Sequence, residues 1–314
     1  MKLLVPDLVP FPAVIEGVQV VIFDPAAPIP GEHADAEALV VWGMPNERIF
    51  DAARRLPRLR WVQGLAAGSD VLLTAGFADA ATITGGRSLH DAPVAEHALA
   101  LTLAAARRLH TLVRAQLGHR WAGELGGFQP EPSPGVFTTL RGARVVVWGF
   151  GGIARTLAPH LRALGAHVTG VATTARTEDG VEVVTPAALP ELLARTDVVI
   201  MVLPATAETT GALGARLLAA LPAHAWVINV GRGATVDEDA LVDALRSGSI
   251  AGAALDVTAT EPLPVASPLW DLPNVIITPH AAGGRPLGAA ALIEHNARAL
   301  LAGEPLRNLV RAAR

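Results

Sequence analysis

The chain has 314 residues, 51% of them hydrophobic and 17% charged, with a formal net charge of −4. That is long enough for two domains with real cores, too apolar for disorder, and without the basic excess of a nucleic-acid or membrane-surface binder. Cysteine is absent and Lys2 is the only lysine, so disulfides, thiolate metal sites, cysteine nucleophiles and Schiff-base or P-loop lysine chemistry are all excluded.

The first ninety residues alternate short apolar runs with helix-like stretches. Strands are expected at 3–5, 18–23, 39–42, 61–63 and 82–84. This rhythm predicts a small parallel sheet with helices on both faces. The N-terminus lacks the long apolar segment and cleavage site of a signal peptide, and no run is long enough to span a membrane, so a cytoplasmic protein is expected. Pro93 then opens an Ala/Leu-rich stretch, 94–117, expected as one helix with proline in its first turn. The segment 121–139, containing GELGGFQPEPSPG, reads as a long loop that is functional, mobile or held by a partner.

A second βα series follows, with strands expected at 144–148, 167–172, 197–203, 226–230, 251–257 and 275–278, which together make a doubly wound domain. Residues 285–314 read as a helical tail that could return to the first domain.

The strongest local motif lies at the start of that series. An apolar run ends at Trp148, and Gly149-Phe150-Gly151-Gly152-Ile153-Ala154 opens an amphipathic helix. This is G-x-G-x-x-A: Gly149 permits the tight turn, Gly151 lets a pyrophosphate approach the backbone, and Ala154 is small enough for close helix–strand packing. Free amides and the helix dipole favour the anion, and Arg155 is placed to add its charge. The bland alternatives are a structural glycine turn or a methyltransferase loop.

The second strand, HVTGVATTAR, ends at Ala172, Thr173 and Thr174 without the acid that usually holds an NAD ribose. Glu178 and Asp179 come too late in the sequence for that role, whereas Arg176 and the two threonine hydroxyls could meet a 2′-phosphate. NADP(H) is therefore the expected cofactor, with NAD(H) possible.

Three further residues sit just past apolar runs: Arg232 in AWVINVGRG, Glu261 in GAALDVTATEP and His280 in NVIITPH. A cation, a carboxylate and an imidazole at neighbouring strand mouths could bind an anion and move a proton. Singly, two of them have plain structural explanations: a strand-end cap or a pair with Asp237 for Arg232, and an exposed turn before Pro262 for Glu261. His97 reads as helix packing, and His90, His110, His119, His160, His167, His224 and His295 carry no pattern. None pairs at metal-binding spacing, so no metal is expected.

Taken together, VQGLAAGSD, VAEHALALTLAAARR, GFGGIA, LPATAETTG, NVGRGATVDEDAL, ALDVTATEPLP and SPLWDLPNVIITPH resemble, in order and over essentially the whole chain, the D-isomer-specific 2-hydroxyacid dehydrogenases. The resemblance implies an α/β protein of two doubly wound parallel-sheet domains. A flavodoxin-like substrate-binding domain is discontinuous (1–94 and 285–314), a Rossmann dinucleotide-binding domain spans 95–284, and a cleft lies between them.

It also assigns roles. Arg232 binds the substrate carboxylate and keto oxygen, His280 donates the proton, and Glu261 hydrogen-bonds His280. An anionic partner favours imidazolium, which suits an acid in reduction. The amides of Ala67 and Gly68 would hold the substrate carboxylate. Gly152 and Ile153 fall to the pyrophosphate, Leu203, Pro204 and Thr209 to the adenosine and ribose, and Val230 and Asp256 to the nicotinamide surroundings, although Asp256 could equally satisfy loop amides.

The resemblance further implies a homodimer, with the segment 121–134 and the 94–117 helix at its interface. A small 2-keto acid is the expected substrate, glyoxylate or hydroxypyruvate first. Gly64 stands near where phosphoglycerate-acting relatives carry a basic residue, and Glu261 replaces the glutamine of formate dehydrogenases. The alternatives are a dinucleotide-sensing binding protein or corepressor on the same fold, and a phosphoglycerate dehydrogenase-like enzyme.

Overall fold

A computed structural model describes residues 1–12, 14–127 and 136–313. The chain divides into two compact units, Met1–His90 with Gly283–Arg314, and Asp91–Ala282.

In chain order the first unit begins with β1 (Lys2–Pro6), β2 (Gln19–Phe23), β3 (Ala38–Val41), α1 (Asn46–Arg55), β4 (Trp61–Gly64), α2 (Asp70–Thr74) and β5 (Thr82–Thr84). The second contains α3 (Asp91–Ala106), α4 (Leu109–Leu117), β6 (Arg144–Trp148), α5 (Gly152–Ala163), β7 (His167–Val171), β8 (Arg176–Glu178) and β9 (Val181–Val184). It continues through α6 (Leu189–Leu193), β10 (Val198–Met201), α7 (Ala215–Leu218), β11 (Trp226–Asn229), α8 (Glu238–Ser247), β12 (Gly252–Leu255) and β13 (Val275–Ile277). The chain then re-enters the first unit as α9 (Ala289–Ala302) and β14 (Leu309–Arg311).

The first sheet has the order β14-β5-β4-β3-β1-β2, parallel except for β14. Without β14 this is the 2-1-3-4-5 order of flavodoxin-like sheets. Residues alternate between two cores: Leu4, Leu39, Val62 and Ile83 pack with α1 and α2, while Leu3, Val5, Val40 and Trp61 pack with α9. The returning segment is tied in by polar contacts as well. The buried Asn296 of α9 donates to Oε1 of the buried Gln63 on β4 at 2.8 Å, and its own Oδ1 accepts from the Arg307 amide at 2.8 Å. A satisfied amide pair of this kind fixes register, since leaving either buried group alone costs about 1–3 kcal/mol.

The second sheet runs β13-β12-β11-β10-β6-β7-β9-β8. Its centre is the 3-2-1-4-5-6 order of dinucleotide-binding folds. β10, β11 and β12 are buried along their whole length, as strands covered on both faces must be. Val145, Val147, Val198 and Ile200 face α3 and α5; Val146, Trp148, Val199 and Met201 face α6, α7 and α8. Alanines dominate the α3–α5 contact, Ala95, Ala98 and Ala105 against Ala154 and Ala158, which lets the helices approach closely.

Three expectations need correction. The 94–117 helix is two helices, broken where Arg108 takes a left-handed φ of 53° between α3 and α4. The second sheet carries an additional hairpin, β8 antiparallel to β9, turned by Asp179 and Gly180 with φ of 49° and 73°. Both angles are positive, as a type I′ turn requires. Finally, the C-terminal tail is not wholly helical, because β14 adds an antiparallel edge to β5. Of the expected long loop, residues 128–135 lie outside the described residues.

Candidate active site

Arg232, Glu261 and His280 all follow the carboxyl ends of β11, β12 and β13, which are consecutive neighbours in the second sheet. Open α/β sheets bind ligands at this end.

The Arg232 turn is built by Asn229, the last residue of β11. Its buried side chain accepts the Gly231 amide at 3.1 Å and donates to the Arg232 carbonyl at 3.1 Å, and the Thr235 hydroxyl donates to the same carbonyl at 2.6 Å. Nη1 of Arg232 donates to the Gly231 carbonyl at 2.9 Å. Asp237 instead caps α8, accepting the Ala240 amide at 3.1 Å. Gly233 has no room for a side chain: a Cβ would fall 1.9 Å from the Thr258 carbonyl oxygen. The Arg232 turn is thereby pressed against the loop that carries Glu261.

Glu261 is held at both oxygens. Oε1 accepts the Thr258 amide at 3.1 Å, and Oε2 lies 2.7 Å from Nδ1 of His280. A carboxylate only accepts, so Nδ1 carries a proton and Nε2 is the ring nitrogen left outside this bond. The two side chains are 47% and 37% exposed, a setting in which an ion pair adds about 1 kcal/mol or less to stability. Orientation is therefore its main effect.

His280 has a left-handed φ of 52°, unusual for a side-chain-bearing residue, and the neighbouring groups show why it persists. Its amide donates to the Asp256 carbonyl at 2.8 Å. The Asp256 carboxylate, 2% exposed, accepts the Thr278 hydroxyl at 2.5 Å and the amides of Ala281 and Ala282 at 2.8 and 3.1 Å. Its geometry is thus that of the loop-amide reading, clamping the turn on both sides of His280. His97 of α3 adds to the cluster, with Nε2 3.0 Å from the Thr278 hydroxyl oxygen and 3.3 Å from Asp256 Oδ1. Helix packing alone had been expected for His97, and only tertiary structure could reveal this long-range contact.

The dinucleotide loop fits its ligand at the backbone. Gly149 has φ of 103°, and a Cβ there would meet the Val202 carbonyl oxygen at 2.6 Å. Gly151 caps α5 in extended conformation, with nothing within 4 Å of the place a Cβ would take. Open amides at a helix start suit a pyrophosphate. Gly152 and Ile153 form the first turn of α5, and Ala154 is fully buried. The Asp91 carboxylate, unforeseen in the sequence, crowds Gly152: a Cβ would lie 2.1 Å from its Oδ2. A negative charge there favours the helix but competes with a phosphate anion.

At the end of β7, Thr173 and Thr174 are exposed. Arg176 donates to the Phe150 carbonyl of the glycine loop at 2.9 Å and to the Thr174 carbonyl at 3.1 Å. Glu178, dismissed in the sequence as too late, lies two residues past Arg176 on the same face of β8 and contacts both arginines. It lies 2.8 Å from Arg155 Nε and 2.7 Å from Arg176 Nη2. Arg155 is accordingly engaged with Glu178 beside the loop.

The remaining residues are placed as follows. Val230 is buried just past β11, and Leu203 is partly buried just past β10, followed by an exposed Pro204. The Thr209 hydroxyl donates to the Pro204 carbonyl at 2.6 Å, closing that loop. Ala67 and Gly68 belong to the first unit, in the loop between β4 and α2. A cavity of about 260 Å³, lined by Arg108, His110, His224 and Trp226 among others, opens at the amino-terminal end of β11 and contains none of these residues. Among the described residues, no three His, Asp or Glu side chains are grouped to hold a metal, and no helix is long and apolar enough to cross a membrane.

The chain is similar to several known proteins. Residues 99–282 match the family model described as D-isomer specific 2-hydroxyacid dehydrogenase, NAD binding domain. A glyoxylate/hydroxypyruvate reductase A of Serratia proteamaculans is 34% identical over 88% of this chain and 86% of its own. A D-3-phosphoglycerate dehydrogenase of Mycobacterium leprae is 35% identical over 71% of this chain, but only 41% of that longer protein is matched. Among solved structures, a D-isomer specific 2-hydroxyacid dehydrogenase of Xanthobacter autotrophicus in complex with NADPH and MES has a TM-score of 0.76 at 33% identity, covering 98% of this chain and 97% of that one. An NADPH-dependent glyoxylate/hydroxypyruvate reductase of Sinorhizobium meliloti with NADP and sulfate has a TM-score of 0.78 at 28% identity, covering 98% and 97%.

Proposed function

The chain belongs to the D-isomer-specific 2-hydroxyacid dehydrogenases, oxidoreductases that use a nicotinamide dinucleotide, and on that premise we propose that it reduces a small 2-keto acid, glyoxylate or hydroxypyruvate first. The observation that carries this reading is the Glu261–His280 pair beside the Arg232 turn at three adjacent strand ends.

A dinucleotide held along Gly149–Ala154 would supply the hydride that the carbonyl carbon takes up. Arg232 holds the carboxylate and polarises the keto oxygen with a planar, permanently charged fork. His280, oriented through Nδ1 by Glu261, delivers the Nε2 proton to the oxygen as it gains charge, so that C=O becomes CH–OH. At 47% exposure the imidazole can recover its proton from solvent. Asp256, with Thr278 and His97 around it, keeps the backbone that aims His280. A further hold on the substrate carboxylate by the amides of Ala67 and Gly68 is proposed from the resemblance alone.

We propose NADPH as the preferred donor, supported by the absence of an acid at Ala172–Thr174 and by Arg155 and Arg176 beside the loop. Leu203, Pro204 and Thr209 on the adenosine side and Val230 near the nicotinamide complete the proposed contacts. A substrate panel followed at 340 nm with NADPH and NADH tests both parts. Turnover of no 2-keto acid overturns the enzyme reading, and equal or better kcat/KM with NADH overturns the preference. Deuterium transfer from 4-deuterated NADPH to product separates catalysis from mere sensing.

A homodimer is proposed as well. Leu109, Val113 and Leu117 form an exposed apolar stripe along α4 at i, i+4 spacing, and Trp121 beyond it is 95% exposed. A monomeric mass at micromolar concentration refutes it.

A further inference from the structure

Two guanidinium groups beside the glycine loop, those of Arg155 and Arg176, are already paired with an acid of this chain. Glu178 Oε1 takes Arg155 Nε at 2.8 Å; Glu178 Oε2 takes Arg176 Nε at 2.8 Å and Nη2 at 2.7 Å. The arginines differ in how they are held. Arg176 is also fastened by the Phe150 and Thr174 carbonyls and is 32% exposed, so its guanidinium is fixed against the glycine loop. Arg155 is 51% exposed and reaches Glu178 through Nε. Arg176 and Glu178 stand two residues apart on β8 and so share one face of the first strand of the hairpin.

A ribose 2′-phosphate carries about −1.5 to −2 charges at neutral pH. Two open arginines would be a strong site for it. With Glu178 between them, the cluster's net charge is reduced by one, and the carboxylate oxygens engage guanidinium donors that a phosphate would use.

We propose that Glu178 sets the cofactor choice. Its carboxylate is an internal competitor for the 2′-phosphate, which binds by taking Arg155 and Arg176 from it, so the protein discriminates NADPH from NADH less than its two arginines alone would. The proposal rests on the arginines being the 2′-phosphate site, as proposed above, and assigns the tuning of that site to an acid at the far end of the hairpin.

The test uses two small probes that differ only in the 2′-phosphate, 2′,5′-ADP and 5′-AMP, titrated calorimetrically into the full-length protein. The quantity read is the ratio of their Kd values, with NADPH and NADH as a second pair. Glu178→Gln keeps size and hydrogen-bonding capacity while removing the charge. Its expected effect is a shift of about tenfold toward the 2′-phosphate ligands, the size expected from deleting one like charge within several ångströms of the phosphate at a half-exposed site. The gain should shrink as salt is raised. Arg155→Gln should move the ratio the opposite way, and melting curves of both variants check that the hairpin is intact.

A ratio unmoved in Glu178→Gln, or moved away from the 2′-phosphate ligands, overturns the proposal. If Arg176→Ala abolishes the preference while Glu178→Gln leaves it unchanged, the phosphate site stands and only the role of Glu178 falls. If wild type and all variants bind both probes equally, the arginines take no phosphate and both readings fall.

Discussion

The two ends of the dinucleotide-binding unit are built on different principles. At the mouths of β11–β13, the proposed catalytic side chains stand on turns held by buried groups: Asn229 under Arg232, Asp256 under His280, and Gly233 pressed on the Thr258 backbone. At the β7–β8 end, the polar groups hold one another, with Arg155, Glu178 and Arg176 forming a half-exposed ion cluster on a two-stranded edge. The first arrangement fixes geometry and tolerates little change. The second can be retuned one side chain at a time without disturbing a core. On the proposed reading, chemistry and selectivity are separated on one sheet.

The comparison can be broken first at the rigid end. Arg232→Ala removes the cation proposed to hold both carboxylate and keto oxygen, and kcat/KM should fall about 10³-fold or more. His280→Ala should cost about 10²–10⁴-fold through loss of proton transfer, with Arg232→Ala at least as damaging. A loss under tenfold in either would remove the basis for the mechanism.

Next in size is Asp256→Ala, which strands the Thr278 hydroxyl and the Ala281 and Ala282 amides. Denaturant titration should show a loss of about 3 kcal/mol, together with reduced kcat as the His280 turn loosens. A variant as stable as wild type would mean that the clamp is not needed.

Glu261→Gln offers a contrast within the same end. It should lower kcat/KM about tenfold while unfolding free energy moves by about 1 kcal/mol or less, because the pair is exposed. At the adjustable end, Arg176→Ala should lower kcat/KM with NADPH about tenfold relative to that with NADH, since a charged contact to the 2′-phosphate is lost. Should the two cofactors fall in parallel, the cluster would be structural rather than selective.

The smallest effect lies away from both ends. Burial, with Arg114 and Arg108 nearby, holds the His110 pKa below its ordinary value. The unfolded chain therefore binds this proton more readily than the native one. Stability should be full above the ordinary histidine range and decline as pH falls through it toward the lower native value. His110→Phe should lose less Tm between pH 7.5 and 5.5 than wild type, and an equal loss would show that the histidine is not linked to folding.

The fold was legible because buried parallel strands read as uninterrupted apolar runs and Gly149–Ala154 is a turn that few other sequences satisfy. Arg232, Glu261 and His280 could be singled out because each ends such a run. The break at Arg108 was hidden, since a left-handed residue that is neither Gly nor Asn leaves no sequence mark. Asp179-Gly180 was a hairpin signal available from the start. Read as such, it makes 176–178 a strand beside β9 and β7, with Arg176 and Glu178 on one face, and the acid that looked too distant becomes local. His97 and Asp256 meet across 159 positions, and no periodicity announces that.

The Gln63–Asn296 bond has a consequence for how the molecule comes into being. As the chain leaves the ribosome, the first unit emerges early but lacks α9 and β14. Its β5 edge and the α9-facing core, with Leu3, Val5, Val40 and Trp61, have no cover until the last thirty residues are made. The contiguous second unit has everything it needs and can close around its own core before then. The lobe whose strands are made before the other is closed only after it.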